Sequence, residues 1–257
     1  MPIPNLFYGH QDALMRGASP TTLAVGDSWF WYPFDNLLGE IAGSRPLQSI
    51  VVAGYNGSEA SEWKGKYADS IKTTFDMYAR GPLVKALLLS GGGNDIVGQT
   101  NFPKLIKANC SACQSVPACY ADDQPSKALE KIIGHYRRLI KIFRTYNPTA
   151  VVVLHNYDDA YATGEGVFGP ADWLKVPMEK CSVPISLRKD LFTDLVAAFG
   201  KAQDVLVAEP GLGKIIALKT AGTLAKDQWA NELHPTPEGF RRIAELRFVP
   251  ALDVAWR

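Results

Sequence analysis

Acyl transfer by a serine requires an exposed hydroxyl, a base to take its proton, and hydrogen-bond donors aimed at the oxyanion that develops. This sequence contains candidates for each. Ser28 stands in the segment AVGDSWFW, where Gly26 and Asp27 permit a sharp turn that would lift a hydroxyl clear of the preceding apolar run. Gly91-Gly92-Gly93-Asn94-Asp95 combines glycines, which allow close backbone approach, with an amide on Asn94 that can donate to an oxyanion. In Gly54-Tyr55-Asn56-Gly57 the backbone N–H of Gly57 can do the same. The base must be one of four histidines. His10 precedes the first long apolar run and His135 sits inside an amphipathic stretch, which leaves His155 and His234. Taken singly, the Gly-Asp-Ser triplet also reads as a strand-to-helix cap, and each glycine cluster reads as a turn.

The elements needed to bring these groups together are legible as alternating short apolar and longer amphipathic segments. Strands are expected at 21–25, 47–53, 84–89, 150–154 and 204–208, each short, β-rich and bounded by Gly, Asn or Asp. Helices are expected at 58–80, 126–146 and 186–199, the second carrying Leu129, Ile132, Ile133, Tyr136, Leu139, Ile140 and Phe143 at a period near 3.6. A final helix begins at Thr236, with Pro237 suited to its first turn. Five strands alternating with helices imply a five-stranded parallel sheet in an α/β/α sandwich. No linker divides the chain, so residues 1–257 are expected to form a single domain with loop insertions at about 96–125 and 158–184. Ligands of such sheets bind beyond the carboxyl ends of the strands, and the candidate residues follow the strands. Trp29, Tyr55, His155 and Tyr157 are placed there to touch a substrate.

The blocks GDS, then Gly, then G-x-N-D, then x-x-x-H-P ahead of a last helix occur here in the order of the SGNH/GDSL hydrolases, and the chain resembles that family between Gly26 and Phe240. The resemblance implies a flavodoxin-like three-layer fold and a serine-dependent esterase or lipase. It implies Ser28 as nucleophile and His234, in place of His155, as general base. The oxyanion hole would comprise the N–H groups of Ser28 and Gly57 and the side chain of Asn94. The substrate would be a small-molecule or glycan ester, and the reaction would need no metal or organic cofactor. Two positions depart from the family pattern. Trp29 follows the nucleophile where the name-giving motif has Leu, and Asn231 stands three residues before His234 where the family has Asp. An Asn can accept the imidazole N–H through its carbonyl oxygen but offers no charge, and the Asp-to-Asn change costs a serine protease about 10⁴ in turnover, partly through the wrong tautomer. A working Ser28–His234 pair with Asn231 as orienter is expected. Glu232 and Asp227 are nearby acids without the family spacing, and a binding protein without catalytic power on the same fold is the alternative.

Other patterns carry less. Gly164 to Gly169 matches G-x-G-x-x-G but follows no strand closely and runs into Pro170, and Gly211 to Lys214 lacks the rest of a phosphate loop. Asn56 and Asn109 open glycosylation sequons of a kind that arises by chance. His155, Asp158 and Asp159 could ligate a metal, though ordinary hydrogen bonding is favoured. The aromatic run from Trp29 to Phe34 reads as core, with a pocket wall as its functional counterpart. With 27 basic and 26 acidic residues the formal net charge is +1, which gives no electrostatic reason to expect nucleic acid. No apolar run reaches membrane-spanning length, and the start lacks a signal-peptide pattern, which points to the cytoplasm. Cys110, Cys113, Cys119 and Cys181 leave export open, as two disulfides or as free thiols. The two-residue gap between Cys110 and Cys113 suits zinc, but no second close pair follows, so a metal is not expected. Oligomeric state is not legible.

Overall fold

The computed structural model describes residues 3–257. Six strands pair in parallel throughout: β1 (Leu6–Tyr8), β2 (Thr22–Gly26), β3 (Ile50–Gly54), β4 (Ala86–Ser90), β5 (Val151–His155) and β6 (Ile215–Leu218), in the order β1-β3-β2-β4-β5-β6. Every residue of β2, β4 and β5 is buried, as a parallel sheet covered on both faces requires. Without β1 the order is the flavodoxin-like 2-1-3-4-5, whose crevice lies where the chain direction reverses. Here that point falls between β2 and β4, so the residues after Gly26 and Ser90 open onto it.

The helices are α1 (Gly9–Met15), α2 (Leu37–Ser44), α3 (Ala68–Thr74), α4 (Gln124–Tyr146), α5 (Lys175–Lys180), α6 (Ile185–Val207), α7 (Pro237–Ile243) and α8 (Val249–Ala255), with shorter helical turns between them. The apolar stripe of α4 is buried at all seven expected positions, and it packs against α6. On the other side α2 packs against α7 and the turn that follows it. Thr236 caps α7 by accepting from the Gly239 N–H at 3.1 Å, with Pro237 in the first turn.

Three expectations need correction. The run DVLVA at 204–208 is not a strand; most of it is the last turn of α6, which extends the stripe Leu195, Phe199, Leu206 and leaves Val205 exposed. A short apolar run fits either period, and continuity with a long helix decided it. The edge strand is instead Ile215–Leu218, just beyond Pro210-Gly211. Strand β1 was missed because three residues are too few to show a period. The helix expected at 58–80 is broken at Gly65: a tight turn at Ala60–Lys64 precedes α3, which runs into a π turn at Phe75–Ala79.

Two glycines fix the geometry where β2 meets its neighbour. Gly54 pairs with Gly26 across β3 and β2. Its φ is +104°, and a Cβ there would sit 2.2 Å from the Gly26 carbonyl oxygen. A Cβ on Gly26 would lie 2.4 Å from the ring of Phe30. The turn that carries Ser28 therefore starts from a backbone packed too closely for any side chain.

Candidate active site

Ser28 opens a single helical turn, Ser28–Trp31, directly after β2. Asp27 caps it: one carboxylate oxygen accepts from the Trp29 N–H at 3.1 Å and from the Ser90 hydroxyl at 2.9 Å. The other accepts from the Tyr157 hydroxyl at 2.5 Å. Burial pushes the Asp27 carboxyl up from its ordinary value, against the pull of these three donors. Because Ser90 gives its proton to Asp27, its oxygen must accept from His155 Nε2 at 2.9 Å, while His155 Nδ1 accepts from the Tyr157 N–H at 3.2 Å. That assigns His155 as the neutral Nε2–H tautomer, and burial lowers its pKa to about 3. The ring is fully buried. His155 thus does not reach the rim; it belongs to a closed network beneath Ser28. Tyr157, which completes that network, holds the left-handed backbone at φ +62°, a conformation costly for a bulky residue and kept only where the surroundings over-determine it.

The loop before α7 presents His234. Asn231 Oδ1 accepts from three N–H groups: the backbone of Leu233 at 3.0 Å, the backbone of His234 at 2.9 Å, and His234 Nδ1 at 3.0 Å. Backbone N–H groups only donate, so the amide must turn its oxygen toward them. Its nitrogen donates to the Tyr32 hydroxyl at 3.1 Å. The orientation that the sequence left open is therefore settled by two backbone donors. His234 Nδ1 carries the proton and Nε2 carries the lone pair, buried and without a hydrogen-bond partner among the described residues. Burial lowers the His234 pKa to about 4, so the ring is neutral, and a weak base, at neutral pH. Tyr32 stacks on the imidazole at 4.2 Å with an interplanar angle of 7°. Since Tyr32 lies one helical turn beyond Ser28, and Trp29 Nε1 donates to the Leu233 carbonyl at 3.1 Å, the turn that carries Ser28 and the histidine loop are joined on both sides. Ser28 and His234 do not hydrogen-bond to one another in this structure.

Ser28, Trp29, Asn94 and Tyr157 line one cavity, whose remaining wall is largely apolar and includes Phe192, Val196 and Leu233. Asn94 Nδ2 donates to the Ser58 carbonyl at 3.1 Å, which leaves its second N–H uncommitted. Gly57 is exposed in a turn at φ +76°, outside that lining, and the exposed Tyr55 lies with Trp31 and Tyr32 along a different groove. Neither neighbouring acid serves the imidazole. Glu232 is fully buried and accepts from the N–H groups of Gly164, Leu174 and Lys175, at 2.9, 2.9 and 2.7 Å, which anchors the loop ahead of α5. Asp227 is exposed. Asp158 accepts from the N–H groups of Asp159, Gly222, Thr223 and Leu224, and His155 is committed to Ser90 and Tyr157, so two of the three groups considered for a metal here are engaged in internal bonds. Sequence reasoning missed Ser90, and it considered Glu232 as an acid and Tyr32 as core or pocket wall without finding the contacts they make; none belongs to a recognisable spacing, since each acts across the fold.

The sheet order and the strand-end placement of these groups define an SGNH/GDSL hydrolase fold. The solved structures that share it include the extracellular lipase from Streptomyces rimosus, with a TM-score of 0.56 and 14% identity over 92% of this chain and 99% of that one. The lipase Lip_vut3 from a goat rumen metagenome gives 0.55 and 13%, over 92% and 97%. At such identities the likeness is one of fold. No protein-family model matches the chain, and no curated protein does.

Proposed function

We propose that the chain is a serine-dependent carboxylic ester hydrolase that works through an acyl-enzyme on esters of short acyl chains. The observation that carries this reading is the buried, unpartnered Nε2 lone pair of His234, held in the base tautomer by an Asn231 amide whose orientation is fixed. In the proposed reaction His234 Nε2 takes the Ser28 proton as Oγ attacks the ester carbonyl. The tetrahedral oxyanion is met by the Ser28 N–H and the free N–H of Asn94, with the Gly57 N–H as a third donor once substrate draws its turn inward. Protonated His234 then gives its proton to the departing alcohol. Water, activated by the same ring, cleaves the acyl-enzyme and restores Ser28. Ser28 Oγ and Nε2 come within bonding distance when substrate binds, as catalytic hydrogen bonds often tighten only in the complex.

The acyl size is read from the cavity beside Ser28. It is small and its wall is largely apolar, which suits a short acyl chain. A fluorophosphonate probe tests the reading. Labelling at Ser28, abolished in Ser28→Ala, is expected together with hydrolysis of p-nitrophenyl acetate. A folded wild-type chain that neither labels nor turns over would be a binding protein on this fold.

A further inference from the structure

The segment 107–119, KANCSACQSVPAC, crosses the surface with almost no apolar side chains to hold it. The residues it buries are Cys110 and Cys119, each fully inaccessible, with Cys113 half-covered beside them. The segment nevertheless closes on itself. Lys107 N–H donates to the Cys119 carbonyl at 2.8 Å and Ala121 N–H to the Leu105 carbonyl at 3.0 Å, around an antiparallel bridge between Ile106 and Tyr120. Its core is sulfur: the Sγ atoms of Cys110, Cys113 and Cys119 all lie within 4.8 Å of one another. The fourth cysteine of the chain lies next to the cluster, with its sulfur outside that 4.8 Å group. Cys181, at the end of α5, is buried, and its carbonyl accepts from the Cys110 N–H at 2.8 Å.

We infer that Cys110, Cys113 and Cys119, with Cys181 as the fourth ligand, form a structural zinc site that fastens the loop after β4 to the end of α5. Four thiolates at about 2.3 Å from a tetrahedral zinc stand roughly 3.8 Å from each other, so the three clustered sulfurs need only close slightly on an ion. A disulfide, by contrast, joins two sulfurs at about 2.05 Å and leaves the third beside it unused. The chemistry balances without a redox partner: four thiols release four protons to solvent and one Zn²⁺ takes their place. Soft sulfur donors in this number select zinc over the hard cations. Because the metal displaces thiol protons, zinc retention should fall as pH falls. Sequence spacing obscured the site because its fourth ligand lies 62 residues beyond Cys119, counting from 119 to 181, on an element that the fold alone brings near.

Metal analysis of the full chain, purified under reducing conditions from zinc-supplemented culture, should give close to one zinc per chain, released when the thiols are modified. Cys113→Ser and Cys119→Ser should each retain less than a tenth of it, and Cys181→Ser should lose zinc to a chelator that leaves the wild type loaded. Reconstitution with Co²⁺ should give thiolate-to-metal absorption with the strong visible bands of a tetrahedral site, a readout independent of esterase activity. Zinc-free wild-type protein with four freely reactive thiols overturns the inference. So does a mass lowered by 2 or 4 Da under non-reducing conditions, which marks disulfides, or a full complement of zinc in Cys119→Ser.

Discussion

Replacing Asn231 with Asp tests the catalytic reading where the sequence departs most from its family pattern. Every bond of the amide survives in the variant. One carboxylate oxygen keeps the N–H groups of Leu233, His234 and the imidazole, and the other accepts from Tyr32, whose hydroxyl turns from acceptor to donor. What changes is one negative charge 3.0 Å from Nδ1. An opposite charge at such range raises a histidine pKa by roughly 1–3 units, which would bring His234 from about 4 to between about 5 and 7. At about 1.36 kcal/mol per unit the imidazolium gains on the order of 1.4–4 kcal/mol. If the transition state feels all of it, kcat/KM rises about 10- to 1,000-fold on the plateau. The assay is the pH dependence of kcat/KM for p-nitrophenyl acetate from pH 3 to 8, with Ser28→Ala as the blank. The wild-type acid limb should fall near pH 4 and the variant limb one to three pH units higher, with plateau activity equal or greater. An unmoved limb would refute the assignment of His234 as the base. A large loss in a folded variant would show that the amide nitrogen, and not the oxygen alone, is required.

Other outcomes follow from the same geometry. Removing the hydroxyl in Tyr157→Phe takes one donor from the buried Asp27 and should cost about 1–3 kcal/mol in urea unfolding, with less than a twofold effect on stability counting against the network. Gly54→Ala should cost more than that, because its Cβ meets the Gly26 carbonyl oxygen and φ is +104°; a soluble variant with unchanged midpoint would contradict the packing described. His155 and His234 are held neutral when folded, so the unfolded chain binds more protons below pH 6.5 and stability is lost as pH falls from there toward about 3 and 4. The His155 share alone is on the order of 5 kcal/mol at full expression, offset at the acid end by Asp27, whose raised pKa acts in the opposite sense. Denaturation midpoints measured from pH 7.5 to 4 should fall steadily and should fall less in His155→Gln. Turnover of p-nitrophenyl esters should decline sharply beyond butyrate; equal rates on laurate would place the acyl chain outside the cavity.

The sheet was legible wherever a strand is central and followed by a turn. The runs at 21–25, 84–89 and 150–154 each lie one or two residues from the strands that form, because burial on both faces writes an unbroken apolar stretch into the chain. The edges were not legible. Leu6–Tyr8 is too short to carry a signal, and DVLVA satisfies a helix as well as a strand. Ser28 and Asn94 could be singled out because they lie within a few residues of the ends of β2 and β4, at the crevice that topology makes the place for a ligand. His155 follows a strand too, yet it turns inward to Ser90. A strand-end position fixes where a residue is but not which way its side chain goes, and here a hydroxyl at the end of the neighbouring strand decided the direction. The Asn231 amide shows the converse: its residue type suggested a defect, and only the backbone donors at 233 and 234 reveal that its oxygen is correctly turned.

The stacked pair of Tyr32 and His234 has an implication for how this molecule can diverge. Ser28 and His234 are carried by segments some two hundred positions apart in the chain, yet one phenol touches the imidazole, receives the amide that steadies it, and rides on the turn that carries the hydroxyl. Wear in either segment is therefore transmitted to the other, and the coupling reaches further: Glu232, two residues before the imidazole, is tied to Gly164, Leu174 and Lys175, and Trp173 stands edge-on to the ring at 5.7 Å. A change in the stretch at 158–184 is therefore felt at His234, and that wall can be remodelled only where the imidazole keeps its place.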